Sequence, residues 1–192
     1  KMLVRRFESS VAAFKESLNS MIQSSESILR WIEKRDKIPV YKKGSLPDVD
    51  EFYETTDDDL SQEIEEAFEK YTDRGFFEID MKYIKRDEYL ADMHSDLTLL
   101  QQIREEWFGK DQVIRFDHKL TEFKAQLRFL RASDPKRKIV VFTEFADTAN
   151  YLGESLKGEG LGIFKYTSGD SSTTSKKTIR ENFDAGLKLD FQ

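Results

Sequence analysis

The sequence contains two short polar stretches whose residue types suit phosphate binding. They read TEFAD, at residues 143–147, and TSGDSS, at residues 167–172. Each follows a short apolar segment and leads into a predicted helix, so backbone N–H groups at the positive end of a helix dipole face the stretch. Phosphates and other anions bind at such positions. Because Ser and Thr are also common turn and cap residues, the stretches are compatible with a purely structural role as well.

Three further residues favour phosphate binding at the second stretch. Gly169 lacks a Cβ atom, so a ligand is able to approach its backbone closely. Lys176 and Lys177 lie one turn into the helix that follows and add positive charge. These residue types predict binding of a phosphate group, and they supply no chemistry of their own.

Known catalytic and cofactor-binding patterns are absent from the sequence. It has no G-x-x-x-x-G-K-[ST] loop, no G-x-G-x-x-G fingerprint and no G-x-S-x-G elbow, and the segment GEGLG, at residues 158–162, has the wrong spacing. The chain has no cysteine, and His94 and His118 are too few for a His-rich metal site. We therefore expect no catalytic residue, metal ligand or cofactor-binding residue in this chain.

The elements that position the two stretches are predicted to alternate between strand and helix. KIVVF, at residues 138–142, is short, apolar and β-branched, which is typical of a strand buried on both faces of a parallel sheet. A helix capped by Asp147 or Thr148 is predicted to follow, IFKY at residues 163–166 predicts a second strand, and a last helix covers 173–185. This order is a βαβα unit with right-handed crossovers, and ligands bind such sheets at the carboxyl ends of the strands.

The first 135 residues predict a bundle of three to four amphipathic helices. Apolar residues recur there at steps of three and four, which is typical of helix faces that pack on other helices. The predicted segments are helices at 2–36, about 57–75, 81–108 and 116–132, and a loop at 37–56. The apolar stripe of the first helix comprises Val4, Phe7, Val11, Phe14, Leu18, Met21, Ile28 and Ile32.

Composition and charge place the chain among soluble proteins with an uneven charge distribution. Of its 192 residues 38% are hydrophobic and 35% charged, and no apolar run is long enough to cross a bilayer. No signal peptide is recognisable, so we expect a cytoplasmic protein without membrane contact. The net charge of −6 is concentrated in residues 48–80, which hold fourteen acidic and two basic side chains. Overall acidity argues against diffuse affinity for nucleic acid but leaves room for a local basic track.

The region from residue 138 onward resembles the opening of the second RecA-like domain of superfamily 2 helicases, with the Swi/Snf-like branch closest in style. In that family a strand ending in F-[ST]-x-F is followed by a helix, a Gly-containing loop and a helix that ends in Phe and Gly. The matching residues are Phe142, Thr143 and Phe145 in the first motif, Ser168, Gly169 and Ser172 in the loop, and Phe183 and Gly186 at the helix end. LVRRFESS, at residues 3–10, also resembles a segment of bacterial Swi/Snf-like helicases that follows their first RecA-like domain.

The resemblance implies that the chain is a fragment of an ATP-driven helicase or translocase. ATP and Mg²⁺ are held in that family between two RecA-like domains, of which this chain would carry only an incomplete second one, at 136–192. Residues 1–135 would be a helical insertion or linker. The chain alone is then expected to have no ATPase activity and to bind no cofactor. Its expected partners are nucleic acid, with DNA as the expected form, and the first RecA-like domain of the same parent protein.

The family's role for the two loops is to hold the nucleic-acid backbone. The residues expected to do so here are Thr143, Phe145, Ser168, Gly169, Ser172 and Lys176. Lys176 keeps a positive charge where many DEAD-box relatives have Arg, whereas Thr173 departs from their Gln. Phosphate contacts carry no sequence information, so no base specificity is expected.

Two other interpretations fit the same residues. One is a non-enzymatic helical interaction module that binds another protein through the acidic segment 48–80. The other is a stand-alone α/β domain that binds a nucleotide or sugar phosphate. Because only two strands are recognisable, this second alternative predicts exposed strand edges.

Overall fold

The computed structural model describes residues 2–41, 75–170 and 172–183. These described residues form six α-helices and two short strands, so the predicted large all-α part is confirmed. In chain order the elements are α1 (Met2–Ser9), α2 (Val11–Arg35), β1 (Lys37–Val40), β2 (Phe77–Asp80), α3 (Arg86–Phe108), α4 (His118–Ser133), α5 (Ala146–Ser155) and α6 (Thr173–Phe183). Short 3₁₀ turns lie at Met81–Tyr83 and Ser168–Asp170.

The chain divides into two compact units. The first unit comprises residues 1–17 and 113–192, and the second comprises residues 18–112. The first unit therefore joins the start of the sequence to its last part, including both polar stretches. The domain boundary expected at residue 135 stays a prediction.

The first predicted helix, 2–36, is divided at Ser10. The Ser10 hydroxyl accepts a hydrogen bond of 3.0 Å from the backbone N–H of Ala13, as an N-cap residue does, and α2 begins at the next residue. Backbone hydrogen bonds from Ser10 to the Arg6 carbonyl and from Phe14 to the Ser10 carbonyl nevertheless continue across the division. The periodicity predicted the helical extent correctly, and the serine that caps α2 marks the break.

The core of the second unit includes α2 and a two-stranded antiparallel sheet. β1 and β2 pair with Lys37 opposite Asp80 and Val40 opposite Phe77, so part of the predicted 37–56 loop is a strand. Pro39 lies within β1 and is tolerated because a two-stranded sheet has only edge strands. In this core Ile32, Ile38 and Met81 are buried in one cluster. Other almost fully buried side chains of the unit are Leu18, Ile22, Trp31 and Phe108.

Glu78 of β2 is the centre of a network of hydrogen bonds and ion pairs next to this core. Its carboxylate accepts hydrogen bonds from Trp31 Nε1 at 2.7 Å and Arg35 Nε at 2.6 Å, and Lys37 Nζ lies 3.3 Å away. Burial by itself raises the pKa of Glu78, but the hydrogen bonds from Arg35 and Trp31 and the nearby positive charges outweigh it, so the pKa lies below its ordinary value. This network ties β2 to the end of α2.

Helix α3 corresponds to the helix predicted over 81–108. It ends at Gly109, whose φ of 67° lies in the left-handed region that glycine adopts without strain. Near this end Phe108 is 1% exposed and Trp107 is 49% exposed. Leu90, Met93, Leu97, Leu100 and Ile103 recur at steps of three and four and are half-buried.

The predicted parallel sheet is not present in the described part of the chain. Residues 138–142 and 163–166 form no strand there, and the strands that do form, β1 and β2, are antiparallel. The expected burial is also missing, since Phe142 is 91% exposed. A strand needs a neighbour for its backbone N–H and C=O groups, and these two segments have no sheet neighbour among the described residues. The βαβα expectation is therefore wrong for the described residues with respect to the sheet, although the two helices do form.

The helix predicted at about 57–75 and most of the acidic segment 48–80 lie outside the described residues. Two of the acidic side chains that are described are paired internally, because Glu78 contacts Arg35 and Asp80 contacts Lys82. No helix among the described residues is long and apolar enough to cross a membrane.

Candidate nucleic-acid interface

The first polar stretch packs against helix α1. The Arg6 guanidinium forms an ion pair with the Asp147 carboxylate and also lies over the ring of Phe145, 4.6 Å from the ring centroid. The two side chains of the ion pair are 25% and 37% exposed, so water screens the pair only in part. A cation over an aromatic face adds attraction in the same place. Arg6 therefore holds two residues of the stretch at once.

Four hydroxyl groups connect the residues at the end of α1 with the first stretch and with Thr148, which follows it. Thr148 Oγ1 lies 2.8 Å from the hydroxyl oxygens of both Ser9 and Ser10, and Thr143 Oγ1 lies 3.4 Å from that of Ser9. Ser10 and Thr148 are buried, and because their hydroxyls bond to each other neither is left unsatisfied. The sequence predicts Asp147 or Thr148 as the cap of this helix, but α5 begins before both, at Ala146, and the Thr148 hydroxyl bonds to Ser9 and Ser10.

Helix α4 and its N-cap residue contact the last residues of α1 and Tyr151 of α5. Lys119 Nζ donates to the backbone carbonyls of Glu8 and Ser9, where the negative end of the α1 dipole favours a cation. Asp117 accepts from the backbone N–H of Leu120 at 2.8 Å as the N-cap of α4, and it accepts from the Tyr151 hydroxyl at 3.0 Å. Burial and the neighbouring Asp117 carboxylate raise the pKa of Tyr151 to about 12.

The two predicted contact residues of the first stretch differ in accessibility. Thr143 is exposed, and its Oγ1 accepts a hydrogen bond of 3.2 Å from the backbone N–H of Phe145. Phe145 is the half-buried N-cap residue of α5, and Arg6 covers one face of its ring. Thr143 is thus exposed, whereas the ring of Phe145 is covered on at least one side. Contact of either residue with nucleic acid stays a prediction.

The second polar stretch is exposed and begins α6. Ser168 and Gly169 are exposed in a 3₁₀ turn. The Ser172 hydroxyl accepts a hydrogen bond of 3.1 Å from the backbone N–H of Ser175 and so caps α6. This is the structural role that Ser and Thr residues of these stretches were also compatible with. A Cβ atom at Gly169 would lie 3.8 Å from Thr167 Oγ1, an ordinary contact, and Gly169 does not have the left-handed φ that requires glycine. The backbone at Gly169 remains open to a ligand.

Lys176 is an exposed cation one turn into α6. Its backbone N–H donates to the Ser172 carbonyl at 3.1 Å, which places it in the first turn. The neighbouring Lys177 lies 3.7 Å from Glu181 on the next turn of the same helix, so part of its charge is compensated. The structure brings Thr143 together with Phe145, and Ser172 with the backbone of Lys176. No hydrogen bond between described residues joins these two groups.

Both helices of the predicted βαβα order lie beside the apolar segments. Lys165 Nζ donates to Asn150 Oδ1 at 2.7 Å, and the Cδ of Lys165 is 3.7 Å from the Cβ position of Gly153, so α5 lies against 163–166. Lys138 Nζ donates to the Asn182 carbonyl near the end of α6. Each of these contacts is made by one lysine side chain, and the apolar side chains of both segments stay largely exposed.

Several residues of this interface could not be found by sequence reasoning. Arg6, Ser9 and Ser10 lie in the LVRRFESS segment, to which the family resemblance also extends. Their contacts with Asp147 and Thr148 join residues 138 to 141 positions apart, so no local pattern in the sequence indicates them. Among the described residues, no group of three or more acidic, histidine or cysteine side chains is arranged to hold a metal ion.

Comparisons of the chain with family models, with curated proteins and with solved structures found no match. The resemblance to helicases therefore stays a prediction. Two separate segments, residues 3–10 and 143–147, contact each other in the structure.

Proposed function

We propose that the chain is part of an ATP-driven motor on nucleic acid, a helicase or translocase of the superfamily 2 type, and that it contributes contacts to the phosphate backbone. ATP and Mg²⁺ would be held by the parent protein with its first RecA-like domain, and this chain alone would hydrolyse no ATP. DNA is the nucleic acid that we propose. The observation that carries the proposal is the exposure of two apolar, strand-like segments that precede the two polar stretches.

The exposed segments have the composition of buried strands. Val140, Val141 and Phe142 are exposed in the first, and Ile163, Phe164 and Tyr166 in the second. Soluble proteins seldom leave contiguous apolar side chains of this kind in water unless another surface covers them. Neighbouring strands from the parent protein would cover them and would supply the missing backbone hydrogen bonds.

The positions of α5 and α6 support a sheet of this kind. α5 lies against 163–166 through Lys165 and Gly153, and the end of α6 lies against Lys138. Helices that flank strand-like segments in the order strand, helix, strand, helix belong to open parallel sheets. In such a sheet both polar stretches would lie at the carboxyl ends of their strands, where ligands bind.

The accessible groups of the two stretches suit a phosphate backbone. Thr143 and Ser168 present exposed hydroxyls, Gly169 presents exposed backbone, and Lys176 presents an exposed cation. Ser172 would contribute through the backbone beside its capping hydroxyl, since that hydroxyl is bonded to Ser175. Phe145 would act from within the loop, because Arg6 lies over its ring. Such contacts give affinity that depends on salt and not on base sequence.

A binding measurement on the 192-residue chain tests the phosphate contact. We expect a fluorescently labelled DNA oligonucleotide to bind more weakly to Lys176→Glu, and the salt dependence of log K to become less steep by about one. Lys110→Glu is the matched control, because Lys110 is an exposed lysine of the second unit and the substitution changes net charge equally. Equal loss in the two variants, or an unchanged salt dependence in Lys176→Glu, would refute a contact at Lys176.

An activity measurement on the parent protein tests the motor. We expect DNA to stimulate ATP hydrolysis by a protein that contains both RecA-like domains, and Lys176→Glu to lose that stimulation while basal hydrolysis survives. A parent protein whose ATP hydrolysis does not respond to any nucleic acid would refute the proposed function.

A further inference from the structure

The charges of the first polar stretch are unfavourable for a phosphate unless they are compensated. Glu144 and Asp147 place two carboxylates within residues 143–147, and the stretch contains no basic residue. Glu144 is exposed, so water screens its charge. Asp147 is more enclosed, and its negative charge is compensated by Arg6 from α1. The electrostatic character of the stretch therefore depends on a residue outside it.

The same arginine restricts the conformation of the stretch. Its guanidinium lies on the ring of Phe145, while the backbone N–H of Phe145 is held by Thr143 Oγ1. Arg6 Nε is buried and finds no hydrogen-bond acceptor among the described residues. A buried donor without a partner is costly, so the ring and carboxylate contacts must offset this cost for Arg6 to stay in place. An ordinary surface ion pair would not bury a donor in this way.

Buried hydroxyl groups add a second point of attachment on the same side. Thr148 bonds to Ser9 and Ser10, and both Ser10 and Thr148 are buried. Together with Arg6, these groups attach Ser9 and Ser10 to Thr143 in the loop and to Thr148 in the first turn of α5. Such attachment reduces the number of conformations that the loop samples, which lowers the entropic cost of binding a ligand.

We propose that α1 is a clamp on residues 143–148, in which Arg6 is a positioning residue that orders the loop and compensates Asp147. The clamp itself is independent of what the loop binds. Its consequence for DNA rests on the proposed function: with the clamp in place the loop accepts a phosphate, and without it the loop is both less ordered and more negative.

Hydrogen exchange of the 192-residue chain tests the clamp without any ligand. The informative amides are those of Phe145, which donates to Thr143, and Ala149, which donates to the Phe145 carbonyl. We expect Arg6→Ala to accelerate exchange at both by roughly tenfold, because an ion pair and a cation–π contact are lost together. The Asp134 amide, which donates to the Leu130 carbonyl at the end of α4 in the same unit, should exchange as in the wild type and so reports that this unit is folded.

Two further variants separate the clamp from a general effect of charge or helix stability. Arg5→Ala removes the same charge from the neighbouring, exposed position of α1 and should leave exchange at Phe145 unchanged. Asp147→Ala should accelerate exchange as Arg6→Ala does, and the double variant should add little. Wild-type exchange rates in Arg6→Ala, or equal acceleration in Arg5→Ala, would overturn the clamp.

Binding of a labelled single-stranded DNA oligonucleotide then tests the consequence. We expect Arg6→Ala to weaken binding several-fold more than Arg5→Ala does. Tighter binding by Arg6→Ala would mean that α1 obstructs the loop and would overturn the positioning role. If the wild type binds no nucleic acid while exchange responds as expected, the proposed function fails and the clamp stands. If binding is present and exchange does not respond, the clamp fails and the proposed function stands.

Discussion

Arg6 and Asp147 lie 141 positions apart in the sequence, yet their side chains form an ion pair that joins α1 to the beginning of α5. Arg6 belongs to the LVRRFESS segment and Asp147 to the TEFAD stretch, the two segments in which the resemblance to helicases begins. Their contact places the start of the sequence within the first unit. Truncation of α1 would therefore alter the 143–148 loop as well as the helical part.

The buried hydroxyl of Thr148 is expected to contribute to stability. Thr148→Val keeps the shape of the side chain but leaves the Ser9 and Ser10 hydroxyls without their shared partner. We expect the free energy of unfolding to fall by about 1–3 kcal/mol, measured by urea denaturation. Thr121→Val is the control, because that hydroxyl is exposed on α4 and bonds only to a backbone carbonyl. Equal losses in the two variants would show that burial of the hydroxyl cluster is not what matters.

Neighbouring positions of α2 are expected to respond differently to truncation. Ile22 is 2% exposed and Met21 is 38% exposed, although the periodicity had placed Met21 in the apolar stripe. We expect Ile22→Ala to lower the free energy of unfolding by about 2–5 kcal/mol, since it leaves a cavity. Met21→Ala should change it by less than about 1 kcal/mol. Thermal unfolding of both variants compares them directly. A larger effect at Met21 would contradict the finding that Ile22, and not Met21, is buried.

The carboxylate of Glu78 is expected to make stability depend on acidity. Its pKa is lower in the folded protein than in the unfolded chain, so the unfolded chain binds more protons as the solution is acidified. The stabilisation is fully present above the ordinary glutamate pKa and is lost as the pH falls through the lower, folded value. Denaturation of Glu78→Gln over the acidic range should lack this part of the pH dependence. Glu106→Gln, at an exposed position of α3, should retain it, and identical pH profiles for Glu78→Gln and the wild type would contradict the prediction.

The hydroxyl of Tyr151 is expected to ionise late. With a pKa of about 12, it should lose its proton well after an ordinary tyrosine, as shown by the ultraviolet difference between the wild type and Tyr151→Phe. Because the folded pKa is raised, the associated stabilisation is present below the ordinary tyrosine pKa and is lost as the pH rises toward about 12. Asp117→Asn keeps the N-cap oxygen but removes the charge, so the pKa of Tyr151 should fall. A pKa that does not change in that variant would exclude Asp117 as a cause.

A charged side chain in the exposed segment 138–142 is expected to be tolerated only while no other strand covers this segment. Phe142→Lys should change the free energy of unfolding of the 192-residue chain by less than about 0.5 kcal/mol, because the side chain is 91% exposed. In a parent protein whose strands cover this segment, the same substitution buries a charge and should cost several kcal/mol. Phe116→Lys, at another exposed phenylalanine, should be tolerated in both proteins. Tolerance of Phe142→Lys in the parent as well would remove the support for the proposed sheet.

Local patterns in the sequence were sufficient to predict most of the helices. Steps of three and four between apolar residues depend only on the geometry of a helix, so the helices at 86–108 and 118–133 lie close to their predicted positions. The helix at 86–108 ends at Gly109, whose φ is 67°. Gly186 lies outside the described residues, so the predicted helix end there stays a prediction.

Pairings between distant residues were decided by the tertiary structure alone. Three examples are the pairing of β1 with β2, the hydrogen bonds around Glu78, and the contact of Arg6 with Asp147. Each joins residues that are more than a helix length apart, and no periodicity encodes such partners. Residues 138–142 show that a local pattern can also be insufficient. Their apolar run indicates a strand, but a strand forms only when another strand pairs with its backbone hydrogen-bonding groups. The sequence by itself determined where helices form and which loops carry hydroxyls, because those properties are local. Only the packed chain decided that Arg6 contacts Phe145 and Asp147 and that two apolar segments remain exposed, because both depend on which surfaces are brought together.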